Sequence, residues 1–271
     1  MEASHQLSGN INYENDIQPM PTQYETGMPA GQLPPGTSYQ AMKTAVGLNF
    51  DVFREPRGVM RILQFIFCIC AFATTTSYSN SMRFEVTCSN SSLPTQVVDL
   101  PFSYPFRLDE IQEPKPYCHD GNPLHLVGNF SSDAQFFVAT GVLSFLYCIA
   151  IVIVYVTLSD MYQSNGLLPL TDFILTVILS VFWLSGSGAW ANGLNGLKMA
   201  TDANRYREEM CSKPPNDFCR SISCGDYSGL VISVTLGFLN FFLWASDLWF
   251  LYKETPWFKM KQTTGGVGAA A

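Results

Sequence analysis

Residues 173–197 read FILTVILSVFWLSGSGAWANGLNGL, an uncharged run held between Asp172 and Lys198. A hydrocarbon core about 30 Å thick takes roughly 20 residues of helix to cross. Three further runs meet that length without a charge: 62–82 between Arg61 and Arg83, 134–159 between Asp133 and Asp160, and 227–246 between Asp226 and Asp247. The chain therefore reads as an all-α membrane protein. Its four spans are expected at about 60–79, 134–158, 170–194 and 229–252.

Helical spacing sorts the polar and small residues of that third run into one stripe: Asp172, Thr176, Ser180, Trp183, Ser187 and Trp190. The other spans carry stripes of the same kind. They are Gln64, Cys68, Ala71, Thr75 and Tyr78 in the first and Gly141, Ser144, Cys148 and Tyr155 in the second. In the fourth they are Ser233, Gly237, Asn240, Trp244 and Asp247. In lipid such faces belong against other helices, because small residues allow close approach and polar ones find partners there. Gly186 and Gly188 add points of close approach. Ionisable groups within a membrane are functional candidates. Asp172, however, stands at the end of its span, and Asp247 lies about one and a half turns before Lys253. Both are expected to reach the interface or pair with a cation. Packing is favoured over a pore. The candidate intramembrane contacts are Trp183, Ser187, Trp190, Asn240, Trp244 and Asp247.

The net charge of −7 averages over spans and loops and says little about partners. Local charge says more. Arg54, Arg57 and Arg61 precede the first span, and Lys253, Lys259 and Lys261 follow the last. With an even number of spans the two clusters share a side, and the positive-inside rule makes it the cytosol. The loops pull against this: Ser159–Pro169 has no Lys or Arg, whereas Lys198, Arg205, Arg207, Lys213 and Arg220 follow span three. Cysteines weigh the other way. Cys88, Cys118, Cys211, Cys219 and Cys224 all fall in the two non-cytosolic loops, about 80–133 and 195–228, and disulfides persist in oxidising compartments. The sequons at Asn90 and Asn129 share the first of those loops. The N-terminus lacks an apolar signal core, so span one is expected to act as an uncleaved signal-anchor.

Residues 1–52 read as a disordered cytosolic tail, since a composition rich in Pro, Gln, Gly and Asn buries too little apolar area to offset ordering. Tyr13, Tyr24 and Tyr39 are expected to be solvated there. Residues 53–257 form the four-span domain and 258–271 a short cytosolic tail. The first loop has β-like pieces at Arg83–Cys88, Gln96–Phe102 and Leu124–Asn129, and a small sheet stapled by Cys88–Cys118 suits so little core. The second has a helix-favouring piece, Ala203–Met210, before a Cys-rich region with Pro214 and Pro215.

No glycine-rich phosphate loop, HExxH, GxSxG or CxxC zinc pair is present. Cys118, His119, Asp120 and His125 read as one disulfide cysteine beside two solvated histidines. Catalytic residues, resident metal and cofactor are therefore not expected, and the sparse basic residues argue against nucleic acid. The cations before span one favour an anionic leaflet, at about 1 kcal/mol each.

Several motifs together resemble the synaptophysin family. They are Arg54-Glu-Pro-Arg-Gly58 leading to Leu63 and Ala71-Phe-Ala73, then Tyr104-Pro-Phe-Arg-Leu108 and Gly128-Asn-Phe-Ser-Ser-Asp-Ala-Gln-Phe-Phe-Val138. Further on come Ala189-Trp-Ala-Asn-Gly-Leu194 with Lys198-Met-Ala-Thr201, Gly237-Phe-Leu-Asn240, Leu248-Trp-Phe250 and Tyr252-Lys-Glu-Thr255. They follow the family's order across about Phe53–Trp257. The resemblance implies a four-helix transmembrane bundle of the MARVEL type with a small disulfide-stapled, β-containing lumenal loop region. It implies a synaptic or secretory vesicle membrane, with both termini cytosolic. The implied partners are the vesicle SNARE synaptobrevin, lipid including cholesterol, the vesicle proton pump and further copies of the chain. The implied role is organising the vesicle membrane in exocytosis and recycling; a vesicle channel or transporter is the alternative. A junctional reading lacks the claudin Trp-Gly-Leu-Trp-Cys-Cys and tetraspanin Cys-Cys-Gly patterns. The resemblance also implies disulfides Cys88–Cys118 and Cys211–Cys219 and a glycan at Asn90. Three features depart from the family: Cys224 is an extra lumenal cysteine, Asp247 replaces the usual neutral amide, and the long C-terminal tail of neuronal members is not matched. Glycosidase treatment of the expressed protein is expected to speed its gel migration, and Asn90→Gln to abolish that shift.

Overall fold

The computed structural model describes residues 48–87, 95–111, 126–202, 204, 218–223, 225–256, 258 and 260. Four helices are long and apolar enough to cross a membrane: α1 (Pro56–Thr76), α2 (Ser131–Thr157), α4 (Leu167–Ala200) and α5 (Ser228–Glu254). A short helix, α3 (Ser159–Ser164), occupies the connection between α2 and α4.

The start of each span is written locally. Pro56 opens α1, where its missing N–H costs nothing. The other three spans begin two residues after a side-chain carbonyl or carboxylate that accepts the first free backbone N–H. Asn129 Oδ1 accepts from Ser131 N at 3.1 Å, Asn165 Oδ1 from Leu167 N at 3.0 Å, and Asp226 Oδ1 from Ser228 N at 2.9 Å. Helix starts leave several donors unsatisfied, and these short side chains cover one each. Bonds from the Ser228 backbone and then its hydroxyl hold the Asp226 carboxyl below the usual range.

The four spans close into a ring in which α1 packs on α2 and α5, and α4 packs on α2 and α5. The striped faces all point inward. Cys68, Ala71 and Thr75 of α1, Ser144 and Cys148 of α2, Thr176 and Trp183 of α4, and Ser233 and Trp244 of α5 are buried. Large apolar side chains such as Ile66, Leu146, Val181 and Phe242 stay exposed on the outside, as a lipid-facing surface requires.

The loops after α1 and α4 meet at one end of the ring. There β1 (Ser79–Thr87) is the centre of a three-stranded antiparallel sheet, with β2 (Gln96–Ser103) on one side and β3 (Phe218–Ser223) on the other. The third strand thus comes from the second loop. The expected piece Leu124–Asn129 supplies only a single bridge, Asn129 to Arg107, among its described residues. Alternation on β2 turns Val98, Leu100 and Phe102 inward, beside Met82 and Val86 of β1. Because loops from both sides of the ring share one sheet, both lie at the same end of the bundle, and α3, the start of α1 and the end of α5 lie at the other. The helix expected at 203–210 falls outside the described residues except for Asn204.

Phe106 ties the sheet to the helices. Its ring is fully buried and stacks on Trp190, with centroids 5.3 Å apart. Its φ of 67° is unusual for a bulky residue, and burial of the ring offsets that strain.

Midway along the ring α5 is tightly packed at Gly237. A Cβ there would meet Ser187 Oγ and lie 2.5 Å from the Phe137 ring. At Gly188, a Cβ would have nothing within 4 Å. Gly237→Ala is expected to cost about 1–3 kcal/mol by overpacking. Gly188→Ala should be neutral or stabilising by under about 1 kcal/mol. Thermal unfolding of the two variants in the same lipid checks the contrast.

Candidate functional site

The inward faces of α1, α4 and α5 carry charge as well as small residues. Arg61 sits in the second turn of α1, on the stripe that continues through Gln64 and Cys68. It is fully buried and holds two carboxylates at once. Its Nη2 lies 2.6 Å from Asp172 Oδ1 on α4, and its Nη1 lies 3.1 Å from Asp247 Oδ2 on α5. Nη2 also donates to Thr176 Oγ1 at 2.8 Å and Nη1 to Gln64 Oε1 at 2.8 Å. The guanidinium lies over the rings of Tyr147 and Trp244, 5.3 Å from each centroid. A planar fork with several fixed donors suits this shared, stacked position; a lysine ammonium would not span it equally.

The two carboxylates are held unequally. Asp172 Oδ1 accepts from Arg61, Tyr147 and Thr176, and its Oδ2 from Tyr155 and from Tyr162 at 3.1 Å. Asp247 receives Arg61 and the Gln64 amide, at 3.1 Å each, on Oδ2 alone; its buried Oδ1 has no hydrogen-bond partner among the described residues. Tyr162 comes from α3, outside the spans. Burial first, and then the charge of Asp172, push its hydroxyl well above the usual tyrosine range, so it stays a donor.

A second cation closes the cluster toward the α3 end. Arg57 bonds Glu254 at 2.8 Å and Glu55 at 2.6 Å and lies over the Tyr155 and Tyr162 rings. Farther along the ring axis the polar pairs are neutral. Trp183 Nε1 donates to Ser144 Oγ at 2.9 Å, and Trp190 Nε1 to Ser233 Oγ at 3.0 Å. Asn240 donates to Leu236 O at 2.9 Å.

Every candidate contact named from sequence is therefore inside the bundle. Trp183, Ser187, Trp190, Asn240, Trp244 and Asp247 are all fully buried and serve contacts within the chain. Of the two alternatives for Asp172 and Asp247, reaching the interface or pairing with a cation, the structure shows the second: they share a buried guanidinium. One expectation is corrected. Arg61 is not a flanking cytosolic charge but the centre of the cluster. The stripe read at Gln64, Cys68, Ala71 and Thr75 pointed to it, since one turn back along that face is Arg61. Tyr147 and Tyr162 carried no signal, as tyrosines near span ends are common interface residues. Of the remaining candidates, Cys88, Cys118, Cys211 and Asn90 lie outside the described residues. Cys219 is described only by its backbone, paired with Val86 in the sheet.

A charged side chain at the middle of a membrane helix costs about 2.5–3.5 kcal/mol on insertion scales. Removing one member of a buried ion pair costs about 3–5 kcal/mol, because the partner is left uncompensated. Arg61→Met strands two carboxylates and is expected to fall in that range or beyond. Arg61→Lys should recover only part of the loss. Unfolding midpoints in lipid or mild detergent check the order.

The family model described as MARVEL, a membrane-associating domain, matches residues 52–250.

Proposed function

We propose that this chain, which belongs to the MARVEL family of membrane-associating domains, organises the membrane of small secretory vesicles and associates there with the vesicle SNARE synaptobrevin. One observation carries the choice of an organiser over a conduit. The axis of the ring is filled by Trp183, Trp190, Trp244 and the Arg61 cluster, all fully buried. Side chains that close a bundle on itself suit a packed membrane scaffold. The synaptophysin-like motifs from Phe53 to Trp257 support the vesicle setting and the partner.

Because the inward stripes are occupied, synaptobrevin is assigned to the lipid-facing sides of the spans. Exposed residues such as Leu184, Ser185 and Gly188 of α4 and Leu239 and Phe242 of α5 lie on those sides. Helices in lipid associate by packing and scattered polar contacts, which such a surface allows. Cytosolic termini, a lumenal sheet, cholesterol-rich lipid, contact with the vesicle proton pump and homo-oligomers belong to the same reading. The channel or transporter alternative rests on the buried ionisable cluster, since such groups are often functional in membranes.

Fractionation of tagged protein from secretory cells tests the leading reading. It expects co-migration with small vesicles, co-purification of synaptobrevin, and missorting of synaptobrevin when the chain is removed. Normal sorting in its absence would reject the partnership. Ion flux through reconstituted protein, lost in Asp247→Asn, would favour the alternative.

A further inference from the structure

The ionisable side chains around Asp247 do not balance. Among the described residues Arg61 is the one cation that touches it, and Asp172 draws on the same guanidinium. Around them, α1 adds Gln64 and Cys68, α2 adds Tyr147, Cys148 and Tyr155, and α3 adds Tyr162. None of these supplies positive charge. On the next turn Arg57 meets both Glu254 and Glu55, so that group offers no surplus cation either. Lys253 is exposed and lies over the Trp249 ring, away from the cluster.

A buried excess charge in a membrane interior is costly. Asp172 is held by five side-chain donors. Asp247 has no such support, and its Oδ1 is a fully buried, unpartnered acceptor in the same cluster. We propose that the Arg61–Asp172–Asp247 cluster is a binding site for one monovalent cation, taken up at Asp247 Oδ1. The recognised chemistry is a single positive charge of small radius. A proton and a sodium ion are its two sources. The site does not depend on the vesicle assignment, since it rests only on the ion cluster.

The test uses the full chain reconstituted in neutral lipid vesicles. One arm measures the unfolding midpoint as sodium replaces N-methylglucamine at constant ionic strength. Binding to the folded state alone raises that midpoint with ligand concentration. The other arm follows the carboxylic-acid carbonyl band by infrared difference spectroscopy as pH is lowered in the absence of sodium. A rise in midpoint assigns sodium, and a protonated carboxyl band assigns the proton. In either case the signal should vanish in Asp247→Asn. It should vanish also in Asp172→Asn, where Arg61 is matched one to one by Asp247. Loss in Asp247→Asn alone suffices if Asp172→Asn does not fold. A chain that shows neither signal, or a signal that survives Asp247→Asn, overturns the proposal. Synaptobrevin co-purification is read separately, so failure of this site leaves the vesicle assignment where it stands.

Discussion

One buried guanidinium sets the arrangement of the spans. Arg61 reaches Asp172 on α4 and Asp247 on α5 from α1, and Tyr147 and Tyr155 of α2 close on Asp172 from the fourth side. All four spans thus contribute a side chain to one network. In lipid no hydrophobic force drives helix onto helix, because the tails are as apolar as leucine. Polar contacts and close packing must fix the register instead. A charge that must be satisfied fixes it more sharply than a methyl group that needs only a neighbour. The neutral Trp–Ser pairs and the contact at Gly237 then extend the same register toward the sheet.

The sheet solves a different problem. Two loops of modest length have little core of their own, so they share one. β1 takes β2 from its own loop and β3 from the other, and the inward side chains settle on the ring through Phe106 and Trp190. The bundle is thereby closed by aromatic packing at one end and by ion pairs at the other. This polarity gives the molecule two distinct ends, one toward each side of the membrane.

Much of this was legible in the amino-acid sequence. Four uncharged runs identify the spans, and the 3.6-residue period identifies the inward faces, because polar residues recurring at that spacing, such as Thr176, Ser233 and Asn240, find partners against other helices. Arg61 was misread for a physical reason. A cation beside a span ordinarily marks the membrane boundary, and α1 begins at Pro56, six residues before the uncharged run that starts at residue 62. Those added residues place Arg61 within the helix. The contribution of β3 was hidden for another reason. Its pairing with β1 spans more than a hundred positions, and nothing local in Phe218–Ser223 names its partner.

The account stands on the coupling between Arg61 and its carboxylates. A double-mutant cycle joining Arg61→Met with Asp172→Asn, read as unfolding free energy in lipid, measures it directly. Residues in one network couple by about 0.5–3 kcal/mol. The account predicts a coupling of at least about 1 kcal/mol, with the double variant more stable than the sum of the single losses allows. Additivity within about 0.5 kcal/mol, the behaviour of independent sites, would contradict it.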